Sequence, residues 1–246
     1  MNEHKRDLRI IGNGSATGGY YNDVKVIGDG VINGDFECNH FRCAGTATIN
    51  GSINTHSLKV AGSSSVTGTL KSDDIRIAGN VDVQGDIKGG TFVVRGGADV
   101  RGSVSADDVS LKGYVNIRRD CGADKFCSEG PLTVSGLLSA DDIDIKIHSS
   151  CKVSEIGGHK IRARRGHGST IAHLLKSLFI APDFYSGKLI CDSIEGDEIQ
   201  LEYTKAKVVR GKKVIIGDGC EVDLIEYKDE CRVFGRSSIK DKKRIS

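Results

Sequence analysis

The sequence predicts an all-β fold: a three-sided parallel β-helix with 17-residue turns, followed by a short amphipathic helix and a second small β-repeat segment. Two observations predict the coil. Glycines recur every 17 residues, and the side chains between them alternate between apolar and polar. The composition agrees with this. It has 32 Gly, 2 Pro and no Trp among 246 residues, which favours many regular turns over disorder.

Two columns of glycine keep the 17-residue period through the first half of the chain. The first column contains Gly28, Gly45, Gly62, Gly79, Gly96, Gly113 and Gly130. The second contains Gly34, Gly51, Gly68, Gly85, Gly102 and Gly136, with Arg119 in the one place that lacks glycine. Both columns are predicted to be corners that need a positive φ or a close approach of the backbone.

A third column contains mostly residue types that tolerate left-handed or turn backbone, which predicts the third corner of each turn. Its members are Asn39, His56, Asp73, Gly90, Asp107, Asp124 and Asp141. Between the corners, pairs such as Leu58/Val60 and Ile75/Ile77 alternate with polar residues and are predicted to point inward.

One turn alone cannot fold. Each inward side chain contributes about 2 kcal/mol on burial, whereas ordering the backbone costs about 1–2 kcal/mol per residue. Consecutive turns must therefore stack in register, as they do in repeat proteins.

The repeat weakens after Ile145, where Ile147 takes a glycine place and Glu155 takes an inward place. A helical stripe then follows, formed by Ile171, Leu174, Leu175, Leu178 and Phe179. We therefore predict four segments: the solenoid at 1–165, a basic loop and amphipathic helix at 166–186, a short β-repeat segment at 187–236, and a solvated basic tail at 237–246.

Charge and cysteine usage exclude several classes of protein. Lys and Arg total 35 against 33 Asp and Glu, so we expect no nucleic-acid partner. A basic stripe formed by Lys25, Arg42, Lys59 and Arg76 is interpreted as a solvated face, with an acidic lipid or a polyanion as the alternative contact. Eight Cys without a Cys-x-x-Cys pair indicate buried thiols rather than disulfides or zinc ligands. We expect no cofactor.

Three segments carry a resemblance to a known family: VKVIGDGVINGDFECNHFRCAG, LKVAGSSSVTGTLKSDDIRIAGNVDVQGDI and FVVRGGADVRGSVSADDVSLKG. They resemble the bactofilins, bacterial polymer-forming cytoskeletal proteins, and the likeness covers residues 8–160. The resemblance implies a right-handed β-helix whose copies join end to end into non-polar, nucleotide-independent filaments that organise envelope or motility machinery. The C-terminal extension resembles that of longer, Bacillus-like members.

The chain differs from a minimal bactofilin at its N-terminus. The opening MNEHKRDLRI is charged and lacks the apolar run of a signal peptide or membrane-targeting tail. We therefore expect a cytoplasmic protein. Its association with the inner face of the membrane, where it occurs, is expected to be peripheral and to involve membrane-associated protein clients.

Self-association is predicted at the ends of the coil, where backbone groups and apolar columns are left uncovered. The candidate residues are Leu8, Ile10, Ile11, Tyr20 and Tyr21 in the first turn, and Ile143, Ile145 and Ile147 at the end of the regular repeat. These last three either meet the C-terminal extension or form a second contact surface. The expected partner is another copy of the chain.

A β-helical enzyme or a sugar-binding module is the alternative. VIGDGV and VIIGDGCEV resemble hexapeptide acyltransferase repeats. In those proteins, however, the number of residues per turn is a multiple of six and is larger than the 17 found here. The candidate histidines, His40, His56, His148 and His159, have no expected carboxylate partner in a matching repeat position. Asp107, Asp124 and Asp141 suit a polysaccharide-acting enzyme and are interpreted as corners. We expect no catalytic residue, no metal site and no small-molecule substrate.

Overall fold

The computed structural model describes residues 6–166 and 187–246. The described residues form strands and turns, without a helix, and the predicted helix within 166–186 lies outside them. The chain divides into two compact units, unit 1 up to Ala123 and unit 2 from Asp124.

Unit 1 contains ten strands and the start of an eleventh. They are β1 (Arg6–Cys43), β2 (Thr46–Asn50), β3 (Ile53–Val60), β4 (Ser63–Val66), β5 (Leu70–Ile77), β6 (Asn80–Val83), β7 (Ile87–Val94), β8 (Gly97–Val100), β9 (Val104–Leu111), β10 (Tyr114–Ile117) and β11 (Cys121–Glu129). Pairing is parallel, and each residue lies opposite the one 17 positions later, as Ile53 does with Leu70. Each turn pairs in three separate segments, for example Thr46–Asn50, Ile53–Thr55 and Ser57–Val60. This confirms the all-β parallel solenoid with three sides.

The interior of unit 1 is a set of apolar columns. Ile32, Ile49, Val66, Val83, Val100 and Ile117 are each fully buried and stack turn upon turn. Phe92 is also fully buried, and its register partners on the neighbouring turns are Ile75 and Val109. Apolar residues therefore stack on apolar residues of the neighbouring turns, and the inward-facing positions are those that the sequence alternation predicted.

The glycine columns are required for two different reasons. Gly28 and Gly34 have φ values of +107° and +100°, which L side chains rarely adopt. Later corners such as Gly79 lie outside the left-handed region, and close packing is their constraint. A Cβ at Gly79 would overlap the carbonyl oxygen of Gly62 and lie 2.8 Å from its carbonyl carbon. Close approach of successive turns thus explains most of the column.

The third column lies at breaks in the pairing, as predicted for a corner, and none of its members has left-handed backbone. Thr55 pairs with Ser72 and Ser57 with Asp74, so His56 and Asp73 are skipped. Among the described non-glycine residues, only Tyr203 has a positive φ. The column bends without left-handed backbone, and its side chains contact one another across turns, as His56 Nδ1 and Asp73 Oδ2 do at 2.7 Å.

Unit 2 is itself a parallel coil, and its turns are of unequal length. Its strands are β12 (Leu132–Ile147), β13 (Cys151–Arg165), β14 (Leu189–Leu201), β15 (Thr204–Ile216), β16 (Glu221–Val233) and β17 (Ser238–Arg244). Leu138 faces Ile156, whereas Leu189 faces Thr204, so the sequence separation between facing residues is shorter in the later turn.

Glu155 falls at an inward place of the 17-residue pattern but does not enter the core. A register irregularity between Val134 and Leu137 leaves Glu155 exposed and puts Ile156, which is 1% exposed, inside.

The predicted β-repeat segment at 187–236 stacks directly on the preceding turn, because β14 pairs in parallel with β13. The coil of unit 2 therefore extends beyond the weakening of the repeat near residue 160. The tail at 237–246 is largely exposed, as its charge predicts. It also contains β17, which pairs with β16 and which the sequence pattern did not predict.

Candidate self-association surfaces and grooves

The first described turn of unit 1 exposes two of the five residues predicted there. Ile11 is 74% exposed and Tyr20 is 70% exposed, whereas Ile10 is 6% and Tyr21 is 3% exposed. Leu8 is half-buried. The Tyr21 hydroxyl donates to the carbonyl oxygen of Thr17 at 2.6 Å. The candidate contact surface of this turn is therefore Ile11 with Tyr20.

The other three predicted contact residues are wrong as a surface, because the coil continues over them. Ile143 and Ile147 are each 2% exposed, and Ile145 is fully buried. Strand β13 pairs across all three, with Ile161 opposite Ile143 and Ala163 opposite Ile145. They belong to the interior of unit 2.

An apolar surface that the sequence pattern did not predict lies at the C-terminal end of β16. Val233 is 42% exposed and Phe234 is 55% exposed, and the Phe234 backbone N–H donates to the Ile216 carbonyl oxygen at 2.7 Å. The signal available in the sequence was the VF pair within an otherwise charged stretch.

The basic stripe lines a groove of about 570 Å³ on unit 1. Lys25, Arg42, Lys59 and Arg76 occupy consecutive turns, as predicted, and Ala44, Ala61 and Ala78 lie beside them.

The expectation that no histidine has a carboxylate partner in a matching repeat position is wrong for His56, and His148 and His159 have carboxylate partners at other spacings. His56 Nδ1 lies 2.7 Å from Asp73 Oδ2, in the same column one turn away. His148 Nε2 lies 3.3 Å from Glu129 Oε1. His159 Nδ1 lies 2.8 Å from Asp197 Oδ2, which is 38 positions away. No sequence repeat predicted that last pair, because its members are more than two 17-residue repeats apart in the sequence.

The His159 pair lies in a groove of about 680 Å³ on unit 2. Lys212 Nζ also contacts Asp197, at 2.9 Å from Oδ1. Hydrogen bonds from Lys212, and then from His159, lower the pKa of Asp197, and Asp197 in turn raises the pKa of Lys212. Both shifts favour the charged forms. A general base that works near neutral pH needs a raised carboxyl pKa instead, so this arrangement suits an ion-pair network.

The cysteines are mainly interior thiols, as predicted. Six of the eight are buried: Cys38, Cys43, Cys121, Cys151, Cys191 and Cys220. Burial raises the pKa of Cys121 to about 12 and that of Cys151 to about 11. Cys127 is exposed.

Thiol titration of the native chain at pH 8 should show its fastest reaction at the exposed Cys127, because burial raises the pKa of the partly exposed Cys231. With its pKa near 12, the Cys121 thiol is only about one part in ten thousand thiolate at that pH, and the thiolate is the reactive form. Measuring absorbance with a chromogenic disulfide reagent checks this, and Cys127→Ser should remove the fast phase. Fast native modification of Cys121 would contradict the burial.

Together these features define the class: a parallel β-solenoid repeat protein with small exposed apolar surfaces and two shallow grooves. Within the described residues, no helix has the length and apolarity to cross a membrane. The chain is 42% identical over 101 residues to YhbF of Bacillus subtilis (strain 168), an uncharacterized protein, covering 40% of this chain and 37% of that one. It is 52% identical over 42 residues to YhbE of the same organism, also uncharacterized, covering 17% of this chain and 18% of that one. No protein-family model and no solved structure matches the chain.

Proposed function

We propose that this chain is a structural scaffold that self-assembles through its terminal turns into nucleotide-independent filaments. In this role it would organise envelope or motility machinery in the cytoplasm or at the inner face of the membrane. The observation that carries the proposal is the exposure of Ile11 and Tyr20 on the first described turn, next to a strictly regular parallel ladder.

Such a turn is stabilised when another surface covers its exposed apolar side chains. A large apolar side chain contributes about 1.5–3 kcal/mol when it moves from water into a packed contact. Ile11 and Tyr20 supply such surface in unit 1, and Val233 and Phe234 supply it in unit 2. Another copy of the chain offers a turn of the same coil to pack against. The resemblance of residues 8–160 to the bactofilins supports the same reading.

Changing Ile11 and Tyr20 together to Lys should convert assemblies to smaller species and raise the concentration needed for assembly roughly tenfold or more, since each tenfold is about 1.4 kcal/mol. Ile10 is left unchanged because it is buried and a lysine there would unfold the turn. Negative-stain microscopy and sedimentation velocity measure the assembly state.

Tyr114→Lys is the matched control, because Tyr114 is 54% exposed in β10, away from the terminal turn. It should assemble like the unchanged chain. Unchanged protein that stays monomeric at high concentration would remove the scaffold proposal and favour the alternative, a β-helical enzyme or sugar-binding module. Equal loss of assembly in the control would show that added positive charge, rather than loss of the contact surface, prevents assembly.

A further inference from the structure

On one side of unit 1, each of six consecutive turns carries a cation, and we name this set the basic ladder. Its members are Lys25, Arg42, Lys59, Arg76, Arg95 and Lys112. The first four share one column, as the pairings of Arg42 with Lys59 and of Lys59 with Arg76 show. In the next turn this column holds Val93, and the cation moves two residues along, to Arg95. The charge is thus kept from turn to turn although its column changes.

The basic ladder is largely without countercharge. Within the part of the chain that the structure describes, only Arg76 of the ladder forms an ion pair, with Asp74 at 2.9 Å. Cations of unit 2 have such partners: Lys212 Nζ lies 2.9 Å from Asp197 Oδ1, and Arg210 lies 2.7 Å from Glu226. Like charges on directly opposed strands repel. A bound anion would remove that repulsion, so the ladder is suited to an acidic ligand.

The groove beside the ladder has a small, apolar floor. Ala44, Ala61 and Ala78 occupy the column next to the cations and are exposed, and Val93 lies at the same groove. Because methyl groups adjoin long charged side chains, the surface is a trough with one cationic wall. Its chemistry complements a chain that has carboxylates along one side and small apolar groups along the adjacent side.

The spacing of the cations favours one form of acidic chain. Successive turns of the solenoid are about 4.8 Å apart, so four cations span about 14 Å. Four side chains on one face of an α-helix span three turns, or about 16 Å. Four side chains on one face of an extended strand span about 20 Å. Flexible lysine and arginine side chains can absorb the first difference more readily than the second.

Other polyanions fit the trough less well. Single-stranded nucleic acid binds through aromatic side chains on which bases stack, and the residues that line this groove include no aromatic. We infer that the basic ladder of unit 1 binds an acidic amphipathic α-helix of a partner protein, with one carboxylate per helical turn facing the cations and small apolar residues on the alanine floor.

The test uses the full chain and a capped, fluorescently labelled helical peptide. Its Glu residues are placed at alternating three- and four-residue intervals, with Ala elsewhere, so that they share one face. We expect saturable one-to-one binding in anisotropy titrations, weakened by added salt. Arg42→Gln combined with Lys59→Gln should weaken binding roughly tenfold or more.

The matched control is Lys71→Gln combined with Lys88→Gln. It removes two exposed cations from neighbouring turns on another side of unit 1 and should leave the affinity within about twofold, because exposed charges beyond a Debye length are screened. A peptide of the same composition with its Glu residues spread around the helix should bind more weakly. Unchanged melting temperatures establish that both double variants are folded.

Three results would overturn the inference. The first is no binding at millimolar peptide, and the second is equal weakening by both variant pairs. The third is tighter binding of phosphatidylglycerol vesicles or of a sulfated oligosaccharide with the same dependence on Arg42 and Lys59, which would assign the groove to another ligand class. None of these readouts depends on assembly, so this inference and the scaffold proposal can fail separately.

Discussion

Gly79→Val should lower the free energy of unfolding by about 3 kcal/mol, near the upper end for overpacked substitutions. A Cβ at this position would overlap the carbonyl oxygen of Gly62 and lie 3.1 Å from the carbonyl carbon of Ala61. Both neighbours are backbone, which cannot rotate away as a side chain can. Moving Gly62 would also disturb the 2.9 Å hydrogen bond from the Asn80 N–H to its carbonyl oxygen. The measurement is the urea midpoint followed by circular dichroism.

Gly122→Val is the control for this substitution. Gly122 lies in β11, and a Cβ there would meet nothing within 4 Å. Its effect should stay within about 0.5 kcal/mol, as is usual for surface positions. Equal urea midpoints for Gly79→Val and Gly122→Val would show that close approach between turns does not constrain the glycine column.

Phe92→Ala should cost about 3–5 kcal/mol, the range for large-to-small changes in a packed core. Phe92 is fully buried between Ile75 and Val109 of the adjacent turns. Both neighbours are fixed by their own backbone ladders, so the coil cannot collapse into the space that the ring leaves. Calorimetry should show a lower melting temperature.

Phe92→Leu separates cavity formation from loss of the aromatic ring, since an apolar side chain of similar size should cost less than about 1.5 kcal/mol. Similar losses for Phe92→Ala and Phe92→Leu would point to a specific role of the ring. A loss below about 1 kcal/mol for Phe92→Ala would mean that the turns move together around the site, contrary to the rigid stacking described above.

The fold of unit 1 was predictable because residues that face each other on successive turns are always 17 positions apart in the sequence. Lys59 lies opposite Arg76 in space and 17 positions before it in the chain. In unit 2 that constant spacing is lost. Ile156, rather than Glu155, enters the core because the pairing register shifts between Val134 and Leu137, and no periodicity reveals where a turn absorbs such a shift.

The candidate surfaces were predictable in part. Strand alternation places Ile11 on the opposite side from Leu8 and Ile10, so parity alone could have separated the exposed isoleucine from the buried one. The contact of His159 with Asp197 was out of reach, since it depends on how β14 aligns with β13. The burial of Ile143 and Ile147 depends in the same way on strand pairing, because β13 pairs with the strand that contains them.

The unequal turns of unit 2 have a consequence for how this chain can change over evolutionary time. Cys151 lies opposite Leu189, a partner far along the chain, while Leu189 finds its own partner, Thr204, after a much shorter stretch of sequence. The height of a turn is set by the spacing between hydrogen-bonded strands, not by the length of chain in it. In unit 1 the shared corners allow change only by whole repeats, as tandem duplication produces. In unit 2 a corner can accept or lose residues one at a time, so insertions of new sequence are tolerated there without altering the turns on either side.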